Sequence, residues 1–414
     1  MVNPARRTAA LSAAVVVTIG LAACSSSSKS SSSSSSATAT TTGASTAPTT
    51  AGGSSITATS FTSDFSAMSQ LSSVASSGKG LVGVLLPDTT TSTRYVAYDA
   101  PYLTKAFQTA GLGASDFKID NAQGSASTMQ TQAEADITAG ASVLILDAID
   151  SGSGAAIEAN AIAKGVKVID YDRLVLGGAS GRTYVSFDNV KVGQLIGQGE
   201  IDCIAAWNVS KPNILVMDGD PTDNNATLFA QGYNGVLKPK FDDSSFVKVG
   251  EPAGTWTPSV AQTTFAQQYT AHPNINAVVT PNDDNANAVI SFLQSKQIAA
   301  KTFPTTGQDA SLPGLQNILK NYQCGTVYKP IYLEAQAAAA QALYLRAGQT
   351  PPAALVNGTV QDSTAKASVN SVLLTPVWVT VANMESTVVK DGFRKASEIC
   401  ISALAAACTA ASIS

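Results

Sequence analysis

Five apolar, strand-like runs in this chain each stop in a cluster of side chains able to grip a hydroxyl group. They are VKVIDYDR (166–173), NILVMDGDPTDNN (213–225), AVVTPNDDN (277–285), FPTTGQDA (303–310) and GTVYKP (325–330). Near-continuous apolar runs of this length fit strands buried on both faces, and helical patterns fall between them. That alternation implies parallel sheets covered by helices, with ligands bound beyond the carboxyl ends of the strands. Polar groups from several strands are thus set where one small polar ligand would sit.

The pattern runs as two series. Strand-like runs near 80–86, 116–120, 142–147, 166–172 and 184–187 alternate with helical patterns at 102–110, 127–139 and 155–164. After Asp188 come helix 190–206, strand 213–217, helix 225–237, strand 246–249, helix 258–271, strand 277–280, helix 285–295, strand 303–306 and helix 312–322. The fold class expected is α/β, with two doubly wound parallel-sheet lobes joined by a multi-strand hinge. Residues 77–187 plus 328–370 would form the N-terminal lobe, and 188–327 plus 371–398 the C-terminal lobe. Within this division 325–330 crosses between lobes, the Ala-rich helix 332–347 packs on the first, and 371–381 returns as a strand to the second. The folded part exceeds 300 residues, enough for two domains of ordinary size.

The chain begins like an export signal. Arg6 and Arg7 precede a short apolar stretch, 9–21, that ends in Leu21-Ala22-Ala23-Cys24. The stretch is too short for a comfortable membrane span. Its end resembles the bacterial lipobox, which implies cleavage before Cys24 and lipidation of that thiol, so residues 1–23 read as a lipoprotein signal peptide. A Ser run at 25–36, broken by Lys29, opens a Ser/Thr-rich stretch. We read 24–76 as a flexible tether, because such a tract has too few apolar side chains to bury. The expected location is the outer face of the cell membrane.

Cleavage would remove two of the 25 basic residues and none of the 29 acidic ones, leaving 23 against 29 and a net charge of −6. No Lys/Arg-rich segment is present, which argues against a nucleic-acid partner. Besides Cys24 there are Cys203, Cys324, Cys400 and Cys408. An exported chain meets oxidising conditions, and four cysteines allow three pairings. The preferred one closes Cys400 with Cys408 in a tail segment, 399–414, and Cys203 with Cys324 within one domain. No spacing suggests zinc, the one histidine is His272, and neither metal nor cofactor is expected.

A sugar carries several hydroxyls, each a donor and an acceptor, and burying one unpartnered costs about 1–3 kcal/mol. Its site needs short fixed polar groups and an aromatic face for the C–H side of the ring. The strand-end clusters supply both. In order, YDR (171–173), YVSFDNVKVG (184–193), DNNATLF (223–229), LKP (237–239), ND (282–283), GQDA (307–310) and TVYKP (326–330) resemble the D-xylose-binding proteins of bacterial ABC importers. The later LTP (374–376) and VKDGF (389–393) resemble that family too, and the match runs over about 81–398. The resemblance implies a type I periplasmic binding protein fold and a monosaccharide, D-xylose first, held between two lobes. It also implies delivery to an ABC permease in the membrane by a monomeric receptor.

Carried over position by position, the resemblance implies nine ligand-binding residues. Arg94 and Tyr95 fit the first loop, in a Thr/Ser-rich stretch longer than in well-known members. Arg173 comes from YDR, Asp223 and Asn225 from DNN, and Trp256 from the segment after the next strand. Asn282, Asp309 and Lys329 complete the set. Trp256 and Tyr95 would face the apolar side of the ring. Asp223 and Asp309 would accept from hydroxyls, Asn225 and Asn282 would accept and donate, and Arg94, Arg173 and Lys329 would donate. Two acids among three cations would leave the pocket mildly positive.

Each residue also has a plainer reading. Arg173 could pair with Asp172 or Asp188 at the surface, Asp223 and Asn225 could cap a helix, and Trp256 could be packing. Lys329 could be an exposed hinge residue. Asp218, Asp220 and Asp223 could form a calcium loop, but they lack the glycine and distal Glu of an EF-hand. Asp188-Asn189 reads as a hinge and helix start. A sugar-acting enzyme is the weaker alternative: the acids are interleaved with Arg, Lys and Asn, and no nucleophile elbow or phosphate loop is present. A sugar sensor signalling to a membrane partner uses the same closing receptor and stays open. A lac-repressor-like regulator would need a DNA-binding helix pair where the Ser tract stands.

Overall fold

The structure is a computed structural model that describes residues 56–89 and 92–414. The export signal, Cys24 and the tether up to residue 55 lie outside the described residues. Among the described residues no helix is long and apolar enough to cross a membrane.

The first lobe is built on a seven-stranded sheet of order β10-β11-β5-β4-β3-β1-β2. Its strands are β1 (Leu81–Leu86), β2 (Phe117–Asn121), β3 (Ala141–Leu146), β4 (Lys167–Tyr171), β5 (Thr183–Phe187), β10 (Gly358–Asp362) and β11 (Ala367–Leu374). All pair in parallel except the β10–β11 hairpin. One face carries α3 (Ala126–Thr138) and α4 (Ser151–Ala163) over Leu85, Leu144, Leu146 and Val168. The other packs α2 (Ala100–Thr109) and the Ala-rich α10 (Ile331–Arg346) on Val84, Ile145, Ile169 and Val185. The small side chains of α10 let the helix lie close to the sheet, and Ala335, Ala337–Ala340 and Ala342 are fully buried there.

Residues 56–76 do not behave as tether. Ile56, Phe61, Phe65, Met68 and Leu71 are buried in this same core, ahead of and within a 3₁₀ turn (Ser66–Leu71) that leads into α1 (Ser72–Ser77). The Ser-rich composition conceals five large apolar side chains, of which Met68 and Leu71 are aimed inward by the 3₁₀ turn.

The second lobe has β6 (Asn213–Val216), β7 (Val247–Gly250) and β8 (Ala277–Val279) in the order β7-β6-β8. The run at 303–308 continues that sheet through single parallel bridges, Val278 to Thr305 and Gln308 to Val327. β9 (Thr326–Tyr328) and the antiparallel β12 (Val377–Val379) follow. Helices α5 (Asn189–Ala206), α6 (Asn224–Asp242), α7 (Pro258–Ala271), α8 (Asp283–Ser295) and α9 (Leu312–Leu319) cover it. α5 and α6 touch through glycines: a Cβ on Gly193 would lie 2.0 Å from the Phe229 carbonyl oxygen, and one on Gly232 2.3 Å from that of Val190. Beyond β12, α11 (Ala396–Ile399) and α12 (Ala405–Ala410) fold onto Leu315, Ile318 and Tyr328. Disulfides join Cys203 to Cys324 and Cys400 to Cys408.

Among the described residues the chain passes between the lobes at three places: β5 into α5, β9 into α10, and β11 into β12. The 371–381 segment is therefore two strands. Residues 371–374 pair with β5 in the first sheet, and the second lobe starts only at β12. Leu374-Thr375-Pro376 is the break, since proline has no N–H to continue a ladder.

A buried charge cluster fixes the first-lobe edge. Arg182 lies 3.0 Å from Asp170, 3.5 Å from Glu158 and 2.8 Å from Asp362, tying β4, α4 and β10 together. Removing one partner from such a cluster leaves uncompensated charge in low dielectric. Arg182→Met is expected to lower stability by about 3–5 kcal/mol, measured by urea denaturation against the parent.

Candidate functional site

Six loops at the carboxyl ends of strands, together with the turn before α2, converge on one cleft with about 390 Å³ of empty space, the open solvent at its mouth included. Arg94, Tyr95, Arg173, Asp223, Asn225, Trp256, Asn282, Asp309 and Lys329 all line it, and so do Ser92, Asp172, Phe229 and Gln308. The first lobe supplies Ser92, Arg94, Tyr95, Asp172 and Arg173. The second supplies Asp223, Asn225, Phe229, Trp256, Asn282, Gln308 and Asp309. Lys329 sits at a crossing between them.

Arg94 is 5% exposed and held by acids on every side. Its Nε and Nη2 donate to Asp99 at 3.0 and 2.8 Å, Nη1 to Asp172 at 2.8 Å, and Nη2 to Glu334 at 2.7 Å. Among the described residues these bonds occupy four of the five N–H groups of a guanidinium. Arg94 is thus mainly a fixed positive wall, with one donor to spare. Asp99 is held in turn by the Tyr171 hydroxyl at 2.6 Å.

Arg173 is not a surface pair. Its Nη2 donates to the Tyr95 hydroxyl at 2.9 Å, and its Nε lies 3.4 Å from Asp223 and 3.6 Å from the buried Asp147. Asp223 accepts from the Asn225 amide at 2.9 Å, capping α6, and from the Trp256 indole N–H at 3.1 Å. Capping and cleft lining coexist in one carboxylate. The indole lies on the backbone of Gly219, where a Cβ would meet Trp256 at 2.1 Å, and meets Phe229 edge-on at 6.4 Å. Asn282 caps α8 by accepting from the Asn285 amide at 3.0 Å.

Asn225 is largely committed to the protein. It donates to the Asp172 carbonyl across the lobes at 2.9 Å and accepts from Asn189 at 2.8 Å. Lys329 is buried beside Asp309, 3.2 Å away, and stands 4.0 Å from Asp172. The calcium-loop reading of Asp218 and Asp220 finds no support. Tyr233 donates to Asp218, Asp220 closes its own turn through Thr222, and among the described residues no cluster could hold a metal.

The charge balance differs from the mildly positive one expected. Asp172 is a third lining acid, so three carboxylates face three cations. Burial alone would raise the Asp172 carboxyl, but Arg94, Lys329 and Arg173 outweigh it and hold it below the usual range. Burial pushes Asp223 up against the pull of Arg173. Behind the wall, burial lifts Asp147 well above the ordinary range despite Arg173, and lifts Glu334 to about 8 despite Arg94. The lining is therefore near neutral, rigid, and rich in both donors and acceptors. Tyr95, Phe229 and Trp256 supply its apolar surface. Such a site suits an uncharged ligand with several hydroxyls.

Nine of the thirteen lining residues are those the sequence points to. Asp172 and Gln308 stand inside the YDR and GQDA motifs, each beside a residue expected at the ligand. Phe229 stands inside DNNATLF, where its aromatic ring close to DNN is the available signal. Asp99 and Glu334 carry no such signal: Asp99 stands five residues from Arg94 at the end of a helical turn, and Glu334 is 240 residues away.

Residues 82–350 match the model of the periplasmic binding protein domain. The chain belongs to the periplasmic binding protein family. It is 38% identical over 291 residues to the D-xylose-binding periplasmic protein of Escherichia coli, covering 70% of this chain and 84% of that protein. It is 32% identical to the multiple sugar-binding periplasmic receptor ChvE of Rhizobium radiobacter, covering 78% and 92%. Among solved structures, a carbohydrate transporter solute-binding protein from Chloroflexus aurantiacus in complex with D-glucose superposes with a TM-score of 0.68 at 28% identity, covering 77% of this chain and 98% of that one. The fold is the type I periplasmic binding protein fold, and these family members are solute-binding proteins rather than enzymes.

Glu334 gives the site a pH signature. A carboxyl raised to about 8 when folded, against about 4.3 when unfolded, keeps a proton that the unfolded chain releases. Its contribution to stability is full below about pH 4 and is lost as pH rises towards 8. Glu334→Gln, which mimics the neutral acid, is expected to flatten the melting-temperature profile between pH 5 and 8 relative to the parent.

Proposed function

We propose that this chain is the lipid-anchored, extracytoplasmic solute receptor of an ABC importer and binds a monosaccharide, D-xylose first, between its lobes. The observation that carries the reading is the meeting of Arg173, Asp223, Trp256, Asn282, Asp309 and Lys329, from separate loops, around one cleft. Two of the relatives described above are named for binding D-xylose or multiple sugars. A pyranose slots its C–H face against Trp256 and Tyr95. Its hydroxyls meet Asp223 and Asp309 as acceptors, and Arg173, Lys329 and Asn282 as donors. Contacts to both lobes at once supply the free energy that closes them, and the closed monomer is the form a permease recognises.

The test is a thermal-shift panel of D-xylose, D-glucose, L-arabinose, D-ribose and D-galactose on the soluble domain. A true ligand at about 100 times its Kd stabilises the folded form by about 2.7 kcal/mol, so D-xylose is expected to raise the melting temperature most. Trp256→Ala and Asp223→Ala are each expected to abolish that rise while the protein stays folded. Binding by either variant at the parent's affinity would move the site elsewhere.

Lipidation of Cys24 is supported by the sequence Leu21-Ala22-Ala23-Cys24 after an apolar stretch. Mass spectrometry of the mature N-terminus is expected to find a diacylglyceryl-modified Cys24, and Cys24→Ala is expected to move the protein from the membrane to the medium. An unmodified Cys24 in membrane-bound protein would refute the anchor. Two or more acyl chains are needed for firm attachment, since one binds only marginally.

A further inference from the structure

Asp309 reaches the cleft through an uncomfortable piece of backbone. Both Asp309 (φ 92°) and the following Ala310 (φ 48°) lie in the left-handed region. Non-glycine residues stay there only where the surroundings hold them. Two ties come from β9: the Asp309 amide donates to the Val327 carbonyl at 2.8 Å, and the Ala310 amide to the Thr326 hydroxyl at 3.1 Å.

The rest of the hold is Asp283. This residue is 1% exposed and does not line the cleft. Its amide donates to the Gln308 carbonyl at 2.9 Å. One carboxylate oxygen accepts from the Ser311 amide and the other from the Gln323 side chain, each at 2.7 Å. Gln323 also donates to the Gly325 carbonyl at the start of the β9 crossing, 3.1 Å away. Asp283 thus grips the turn immediately before and immediately after Asp309-Ala310. Two glycines make room for it. A Cβ on Gly307 would lie 2.0 Å from one of its oxygens, and a Cβ on Gly314 2.3 Å from the other.

We propose that Asp283 is a positioning residue for the ligand site: it never touches the ligand, and it clamps the 308–311 turn so that Asp309 and Gln308 are presented to the cleft. The inference rests on the reading of this cleft as a sugar site. An acceptor displaced by a fraction of an ångström no longer meets its hydroxyl, so a clamp on the backbone controls affinity without a contact.

The surroundings of Asp283 add a pH dependence. Asp309 faces it from the turn, Asp284 follows it on α8, and Arg394 from the C-terminal segment shares a small cavity with all three. Burial lifts the Asp283 carboxyl to about 7, with Gln323 and Ser311 opposing and Asp309 adding to it. An opened turn exposes the carboxyl and lowers its pKa, so rising pH through neutrality favours opening.

The experiment uses the mature chain with Asp283→Ala, Asp283→Asn, Asp309→Asn and the Asp283→Ala/Asp309→Asn double variant, each checked for folding by urea denaturation. D-xylose and D-glucose are titrated calorimetrically at pH 5.5, 7 and 8.5. Amide hydrogen exchange of residues 308–311 is followed without sugar. Asp283→Ala is expected to weaken D-xylose binding about 10-fold or more in the parent and less than about 2-fold in the Asp309→Asn background, because coupled residues are non-additive. Asp283→Asn is expected to restore part of the affinity, since its amide keeps the Ser311 bond, and to lose the pH dependence of the parent. Protection of residues 308–311 is expected to fall in Asp283→Ala. Equal weakening in both backgrounds, or unchanged protection, overturns the proposal. If the parent binds none of the five sugars of the thermal-shift panel, the functional reading fails by itself, and the exchange of residues 308–311 still decides whether Asp283 holds the turn.

Discussion

Asp172 is the knot on which the cleft depends. It follows β4 in a left-handed conformation (φ 58°) that aspartate tolerates better than most residues. Its carbonyl accepts from the Tyr184 hydroxyl at 2.9 Å, from Ser186 at 2.8 Å and from Asn225 of the second lobe at 2.9 Å. Its carboxylate holds Arg94 at 2.8 Å and faces Lys329. One residue therefore orients a wall of the first lobe, a helix start of the second and a crossing between them. The conformation that exposes the carbonyl to three donors also turns the carboxylate towards two cations.

Around this knot the structure separates holding from presenting. Asp99, Asp147, Glu334 and Asp283 are buried and grip residues that line the cleft, while Asp223 and Asp309 face it. Burying so many ionisable groups is costly unless each is matched or keeps its proton, and replacing a pair by apolar groups is often no less stable. What the arrangement supplies is immobility. Arg94 cannot swing when four bonds hold it, and a hydroxyl entering the cleft meets groups already oriented. A near-neutral balance avoids a field that would favour an ionic ligand over a neutral one.

Much of the fold was legible because its periodicities are strong. The alternation of apolar runs and helical patterns located nearly every strand and helix, and the clusters after 171, 218, 281, 307 and 328 marked the cleft rim. Misreadings came where composition and packing disagree. Residues 56–76 look like tether by serine content, yet Ile56, Phe61, Phe65, Met68 and Leu71 fill the first core. The 371–381 run reads as one strand, but Pro376 divides it between two sheets. Phe303–Thr306 is apolar enough for a strand, yet its pairing is confined to single bridges.

Which loops carry the polar groups is written locally, because hydrophobic period and turn chemistry are local properties. So are the residue types those loops offer: carboxylates, amides, cations and an indole in a fixed order. What each group has left to give comes from packing between distant parts of the chain. Asn225 and Arg94 are spent largely on the protein, Asp172 is the third acid of the lining, and Asp283 works from behind it. Those roles follow from contacts between residues tens to hundreds of positions apart, such as Arg94 with Glu334, and no local pattern encodes such a contact.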